Sequence, residues 1–189
     1  MKTICKPYQN PITPKKWMTA LTGVSYLLIS IILYTRPFTN VYVMTMFFGI
    51  LLLPSATFDI YFSSDNKDQI FSWGFLLLNA IADLSMSIVF ISHAYLDDSI
   101  LLYIGSFWIL GKGIITLNFS SLIKKERLIK YFYIVTSLMT IVLSMLLVIN
   151  VLFSEIQIDK ILTLAMLLCA VNKFISVFFI DKEHYKVYS

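Results

Sequence analysis

The chain has 189 residues, of which 58% are hydrophobic and 14% are charged, and its formal net charge is +4. Soluble domains are about 45–50% apolar and about 25% charged, so a soluble core of this size could not bury so much apolar surface. The composition excludes an ordinary soluble domain and indicates an integral membrane protein.

Six long apolar segments follow one another along the chain, each close to the roughly 20 residues that a bilayer-spanning helix needs. Their connections are short, as in a compact bundle. The sequence therefore predicts an all-α membrane protein with a six-helix transmembrane bundle over residues 17–180, between short tails at 1–16 and 181–189. The segments cover about residues 17–34, 38–62, 70–93, 99–121, 129–153 and 159–180.

The cations fall almost entirely on one side of this arrangement. Because each segment crosses once, alternate connections face opposite sides of the membrane. Eleven cations fall on the side of the two tails, only Arg36 and Lys160 fall on the other, and Lys112 and Lys173 lie within segments. Flanking Lys and Arg stay on the cytoplasmic side during insertion. We therefore expect a plasma-membrane protein with both termini cytoplasmic, and no nucleic-acid binding.

A shift of 57 residues superimposes the odd-numbered segments. It places Ser30 on Ser87 and Ser144, and Gly23 on Ala80. Repeats of this size build quasi-symmetric bundles, and three hairpins in parallel orientation predict pseudo-threefold symmetry. The predicted hairpin repeats cover about residues 17–64, 74–121 and 131–180.

The same shift relates the even-numbered segments. It places the Phe-Ser-Ser triplet at 62–64 on the identical triplet at 119–121. The sixth segment needs four extra residues, which the longer 5–6 connection supplies. Lys112 then aligns with Lys173, and Ser55 is their counterpart in the second segment.

This arrangement resembles the HdeD family of small bacterial membrane proteins. The motifs that carry the resemblance are Gly23 in the first helix, Arg36-Pro37 just after it, and the stretch Phe-Trp-Ile-Leu-Gly at 107–111 in an even-numbered helix. The resemblance covers about residues 17–180. It implies a non-enzymatic membrane protein with a stress-related role, acid resistance in particular.

Ionisable side chains deep in the segments each cost at least about 2.5–3.5 kcal/mol near the bilayer centre. Asp83 and Lys112 lie about 15 Å or more from the 3–4 connection, at similar depth on adjacent antiparallel helices, which predicts an ion pair. Lys173 competes for the same carboxylate, and Asn79 and Ser87 share a helix face with Asp83. These five residues form a candidate intramembrane polar network. It serves either as interhelical hydrogen-bond glue or as the path of a small proton or ion channel or transporter.

Charged groups nearer the ends of the segments are expected to reach water. Asp59 and Asp181 fall near the cytoplasmic ends of their segments, within reach of the head groups. His93, Asp97 and Asp98 form a candidate pH-sensitive patch at the outer 3–4 connection, since histidine titrates near neutral pH.

The sequence carries no recognisable catalytic or ligand-binding motif. It has no phosphate-binding glycine loop, no Ser-His-Asp arrangement and no HExxH motif, so we expect neither an enzyme nor a cofactor or metal site. Cys5 and Cys169 lie far apart, which predicts two free thiols. The expected partners are membrane lipids, a second copy of the chain or another membrane protein.

Overall fold

A computed structural model describes residues 16–35, 41–67, 73–92, 98–122, 127–149 and 155–184. Within these ranges the chain is helical apart from turns at residues 66–67 and 149, and each helix contains a stretch long and apolar enough to cross a membrane. The predicted all-α, six-helix fold is confirmed. The helices are α1 (Lys16–Thr35), α2 (Val41–Asp65), α3 (Trp73–Ser92), α4 (Asp98–Leu122), α5 (Arg127–Val148) and α6 (Glu155–His184).

The helix ends differ from the predicted segments mainly in the last hairpin. α5 ends at Val148, whereas the apolar run continues to about residue 153. α6 extends from Glu155 to His184, beyond the apolar segment at both ends. Hydropathy marks the part of a helix that crosses lipid, whereas helical hydrogen bonding continues through charged residues, so the two boundaries need not coincide.

The side chains are distributed in the reverse of the soluble pattern. Large apolar side chains are exposed around the outside of every helix, whereas four charged side chains among the described residues are buried in the interior: Asp59, Asp83, Lys112 and Lys173. An apolar exterior of this kind suits a protein surrounded by lipid. Soluble monomers rarely expose large apolar patches. Exposed examples, one from each helix in order, are Leu28, Ile50, Ile88, Ile114, Val142 and Leu164. The chain is thus a multi-pass helical membrane protein.

The six helices form a closed ring in chain order, because α6 packs against α1. Packing is most extensive between successive hairpins, at the α2–α3, α4–α5 and α6–α1 contacts. Within hairpins it is less extensive, and among neighbours in the ring α3 and α4 share the smallest contact. We call the end where α1, α3 and α5 begin the terminal end, and the other end the opposite end.

Positions related by the 57-residue shift are buried alike. Ser30, Ser87 and Ser144 are all buried, and so are Phe62 and Phe119 of the two Phe-Ser-Ser triplets. Each member of these sets therefore has the same relation to the bundle interior, as expected of repeated hairpins.

Two glycines bring helices of successive hairpins close together. A Cβ atom at Gly49 of α2 would lie 2.7 Å from Ile91 Cγ1 and 2.9 Å from the Ser87 carbonyl oxygen of α3. A Cβ atom at Gly113 of α4 would lie 2.7 Å from Ile141 Cγ1 of α5. Small residues at such crossings permit the close backbone approach that holds membrane helices together.

Candidate functional site

An ion pair lies near the middle of the bundle. Asp83, ten residues into α3, pairs with Lys112 of α4, with Nζ 2.5 Å from Oδ1 and 2.7 Å from Oδ2. Asp83 is 0% exposed and Lys112 is 4% exposed. A single charge buried this deeply would be strongly unfavourable, and pairing offsets much of that cost.

Aromatic groups complete the surroundings of this pair. The Tyr26 hydroxyl of α1 donates to Asp83 Oδ2, and the Trp108 indole N–H of α4 donates to Oδ1 at 3.1 Å. Lys112 Nζ lies 4.8 Å from the ring centre of Tyr26 and 5.5 Å from that of Trp108, within cation–π range. Both carboxylate oxygens of Asp83 are therefore occupied, and the ammonium lies among π faces.

The pair also bridges the seam between α3 and α4. Lys112 Nζ donates to Asn79 Oδ1 at 2.8 Å as well as to Asp83. α3 and α4 share little direct packing, so the Lys112 side chain bridges the gap between them by bonding to Asn79 and Asp83. The seam is held by charge-assisted hydrogen bonds, the stronger class.

A second ion pair joins α2 to α6. Lys173 Nζ lies 2.5 Å from Asp59 Oδ2, and both side chains are almost wholly buried. Two expectations are thereby wrong. Asp59 does not extend outward to the head groups, because its side chain is buried in the bundle. Lys173 does not compete for Asp83, because the closed ring brings α2 within its reach.

A small cavity separates the two pairs. Its volume is about 20 Å³, enough for one water molecule. Its walls carry polar groups from α1, α3, α4, α5 and α6, including both lysines. The polar groups are Tyr26, Asn79, Lys112, Thr116, Thr140, Asn172, Lys173 and Ser176, and Cys169 adds a thiol.

Hydrogen bonds tie α5 to α6 beside this cavity. The Tyr133 hydroxyl donates to the Asn172 carbonyl oxygen at 3.1 Å and lies 2.5 Å from Ser176 Oγ. Thr136 Oγ1 donates to Asn172 Oδ1 at 2.5 Å. The wall of the cavity is thus fixed by contacts between neighbouring helices.

The cluster lies where repeat-equivalent positions converge. The shift of 57 maps Tyr26 onto Asp83, and Asp83 onto Thr140. Tyr26 hydrogen-bonds to Asp83, its own equivalent, and Thr140 lines the adjoining cavity. On the even helices the equivalent lysines, Lys112 and Lys173, line the same cavity. The site therefore includes repeat-equivalent residues from both the odd and the even helices.

The structure brings together most, but not all, of the predicted network. Asn79, Asp83 and Lys112 are in contact and Lys173 faces the same cavity. Ser87 instead donates to the Leu84 carbonyl oxygen of its own helix at 2.7 Å. Sequence reasoning missed Tyr26, Trp108 and Asp59 as partners. The repeat shift that maps Tyr26 onto Asp83 is a signal that could have found the tyrosine.

The candidate pH-sensitive patch lies outside the described residues. His93 and Asp97 fall between α3 and α4, and Asp98 begins α4 but its side chain, like that of Asp181, is not described. Cys5 also lies outside. Cys169 is a buried free thiol, and the described ranges contain no cluster of His, Cys, Asp and Glu suited to a metal ion.

The interior can hold charge, donate and accept hydrogen bonds, and admit a water molecule. Such a network lets a proton bind or move between neighbouring groups without exposing a bare charge to lipid.

Similarity to known proteins supports a repeat-based membrane protein. A family model described as a short repeat of unknown function (DUF308) matches residues 21–92, which take in most of α1 and all of α2 and α3. That family is the one to which HdeD-like proteins belong. No match was found among curated proteins or among solved structures.

Proposed function

We propose that this chain is a non-enzymatic plasma-membrane protein that binds protons inside its helical bundle and takes part in a response to acid stress. The observation that carries this proposal is a pair of buried ion pairs, Asp83–Lys112 and Asp59–Lys173, on either side of a polar cavity. Ionisable groups within a membrane are expensive and usually serve a function. The stress context comes from the HdeD resemblance, since the matched repeat model is described as of unknown function.

The orientation and partners belong to the same proposal. The distribution of cations along the sequence favours both termini in the cytoplasm. This orientation turns the terminal end, near which Asp59 lies, toward the cytoplasm. Lipids surround the apolar exterior, and a second copy or another membrane protein carries the signal onward.

Transmembrane proton movement is the second candidate function. It is favoured by the polar lining of the cavity, to which α1, α3, α4, α5 and α6 all contribute. It also requires the apolar half of the bundle at the opposite end to open. Proteoliposomes with an internal pH-sensitive dye test it, with Asp83→Asn as the control. Flux that the variant loses supports conduction, and equally tight vesicles with both inserted proteins reject it.

Infrared spectroscopy of the reconstituted protein tests proton binding directly. Acidification should produce the carbonyl stretch of a buried carboxylic acid in the native protein. The control replaces both pairs by neutral groups (Asp59→Asn, Asp83→Asn, Lys112→Met and Lys173→Met) and should lack this band while keeping its helical content. Spectra that respond to acid identically in the two proteins would overturn the proposal.

A further inference from the structure

Four buried oxygen atoms near the terminal end have no hydrogen-bond partner within the described part of the chain: Thr19 Oγ1, Asp59 Oδ1, Ser63 Oγ and Asn66 Oδ1. Each of these residues is at most 2% exposed. Buried polar groups are nearly always satisfied by protein or by ordered water, and leaving one unsatisfied costs about 1–3 kcal/mol. No group among the described residues satisfies these oxygens, which indicates ordered water as their partner.

Three of the four lie in a line along α2. Asp59, Ser63 and Asn66 are spaced i, i+4 and i+7, which places them on one helix face. The Asn66 backbone N–H still donates to the Phe62 carbonyl oxygen, so the helical path continues to Asn66. The line is about 10 Å long at 1.5 Å per residue, and it leads from the terminal end of the bundle inward to Asp59.

The fourth oxygen faces this line from α1. Thr22 Oγ1 donates to the Ser55 carbonyl oxygen at 3.3 Å, and the Trp17 ring lies 5.9 Å from the Phe58 ring. These contacts set the antiparallel register of α1 and α2. In this register Thr19, three residues before Thr22, lies at the level of Asp59.

The inner end of the line meets the central cavity. Asp59 uses Oδ2 to bind Lys173, whose side chain lines the cavity together with Lys112 and Tyr26. The Asp59–Lys173 pair thus lies between the central cavity and the line of oxygens on α2.

We infer that Thr19, Asp59, Ser63 and Asn66 line a hydrated inlet from the terminal end, and that Asp59 at its inner end is where protons enter the network. The second part rests on the proposed function. A hydronium ion in the inlet transfers its proton to Asp59 Oδ1. The new O–H bond turns the carboxylate into a neutral acid, water is left behind, and Lys173 keeps its own proton.

The charged and titratable groups around Asp59 favour this assignment over Asp83. Lys173 binds Asp59 from α6, and Tyr26 of α1 and Lys112 of α4 line the cavity together with Lys173. Asp83 of α3 pairs with Lys112. Both oxygens of Asp83 already accept hydrogen bonds, so an incoming proton must displace a donor. Asp59 offers a free oxygen.

Thiol labelling tests the inlet without reference to proton binding. In a chain carrying Cys5→Ser and Cys169→Ala, Ser63→Cys is compared with Ser144→Cys. Both serines are buried, but Ser144 Oγ donates to the Ile141 carbonyl oxygen and lies in the opposite half. Right-side-out and inside-out vesicles are treated with a charged, membrane-impermeant thiol reagent.

The inlet predicts that Ser63→Cys reacts from one side of the membrane alone and that Ser144→Cys reacts from neither. Asn66→Cys is a second inlet variant in case the first does not fold. Inlet cysteines that are as inert as the Ser144 variant, or that react from both sides, overturn the inlet.

Infrared spectra of single variants test the role of Asp59. The acid-induced carboxylic acid band should disappear in Asp59→Asn and remain in Asp83→Asn. A band that Asp59→Asn retains and Asp83→Asn loses would overturn Asp59 as the entry site while leaving proton binding intact. Absence of the band in the native protein would instead refute the proposed function, and the labelling result would still decide whether the inlet exists.

Discussion

The two halves of the bundle are built from the same six helices but bury different chemistry. Among the described residues, the terminal half and the centre contain both buried ion pairs and the buried asparagines. The opposite half buries mainly apolar side chains, and its buried hydroxyls find acceptors nearby. Ser87 and Ser144 bond within their own helices, and Ser30 donates to the Thr163 carbonyl oxygen of α6 at 3.0 Å.

An aromatic series extends from the centre of the bundle into the opposite half. Phe48 contacts Phe90, Phe90 contacts Trp108, and Trp108 contacts Tyr26, with ring centres 6.1–6.4 Å apart. Trp108 packs on Phe90 on one side and donates to Asp83 on the other. A cavity of about 20 Å³ in the opposite half has a mostly apolar lining, and apolar cavities stay dry. The inferred inlet would therefore admit water from the terminal end, and we expect this aromatic series to stop it.

The largest expected effect is that of Asp83→Asn, which leaves the Lys112 charge buried without its counter-charge. Removing one partner of a buried ion pair costs about 3–5 kcal/mol. Denaturant unfolding in micelles, followed by circular dichroism, measures the loss. Combining the change with Lys112→Met should recover most of the stability. If Asp83→Asn alone were as stable as the native protein, the ion pair at the centre would not hold the bundle together.

Phe48→Ala should damage the opposite half by a different mechanism. Phe48 is 2% exposed. Truncating a buried phenylalanine costs about 3–5 kcal/mol in soluble cores. Because the hydrophobic effect does not drive packing between helices in lipid, we expect a loss of about 3 kcal/mol here. The new space should also let water pass the aromatic series, so that Ser144→Cys becomes reactive.

The matched control for this change is Phe107→Ala. Phe107 is 58% exposed to the lipid side, so its loss should leave both stability and the inertness of Ser144→Cys unchanged. If Ser144→Cys reacted with the thiol reagent to the same extent in the Phe48→Ala and Phe107→Ala proteins, the apolar half would not be the barrier to water.

Much of the fold was predictable because lipid imposes simple requirements. Six apolar runs of spanning length dictate six helices. The Asp83–Lys112 pair followed from the depth of the two residues on either side of one connection, since adjacent antiparallel helices bring equal depths together. The depth of a residue in the membrane can be counted from the sequence. The number of helices and the Asp83–Lys112 pair depend on little else.

The missed features depend on which face of a helix points inward and which helices are neighbours. Asp59 lies near a helix end, and its depth alone did not reveal that it faces the interior. Lys173 pairs with Asp59 because α6 closes the ring against α1, which brings its lysine within reach of α2. Tyr26 and Trp108 resemble ordinary apolar positions in a spanning segment. Only the repeat shift links Tyr26 to Asp83 before the structure is known.

Gly49→Ala should produce an intermediate effect by forcing α2 and α3 apart in the opposite half. The added Cβ would lie 2.9 Å from the Ser87 carbonyl oxygen, a backbone atom that cannot rotate away. Overpacking of this kind costs about 1–3 kcal/mol, measured by the same unfolding experiment. Gly111→Ala is the control, because a Cβ there meets nothing within 4 Å. Equal stability of the two variants would refute close α2–α3 packing at Gly49.

The smallest expected effect is the difference in stability between losing a hydrogen bond that joins two helices and losing one that lies within a single helix. Tyr133→Phe removes the hydroxyl that links α5 to Asn172 and Ser176 of α6, and such interhelical bonds are worth about 0.6 kcal/mol on average in membranes. Ser144→Ala removes a bond that stays within α5 and should cost less than Tyr133→Phe, because no helix contact depends on it. A larger loss for Ser144→Ala would contradict this ranking of bonds between helices above bonds within one helix.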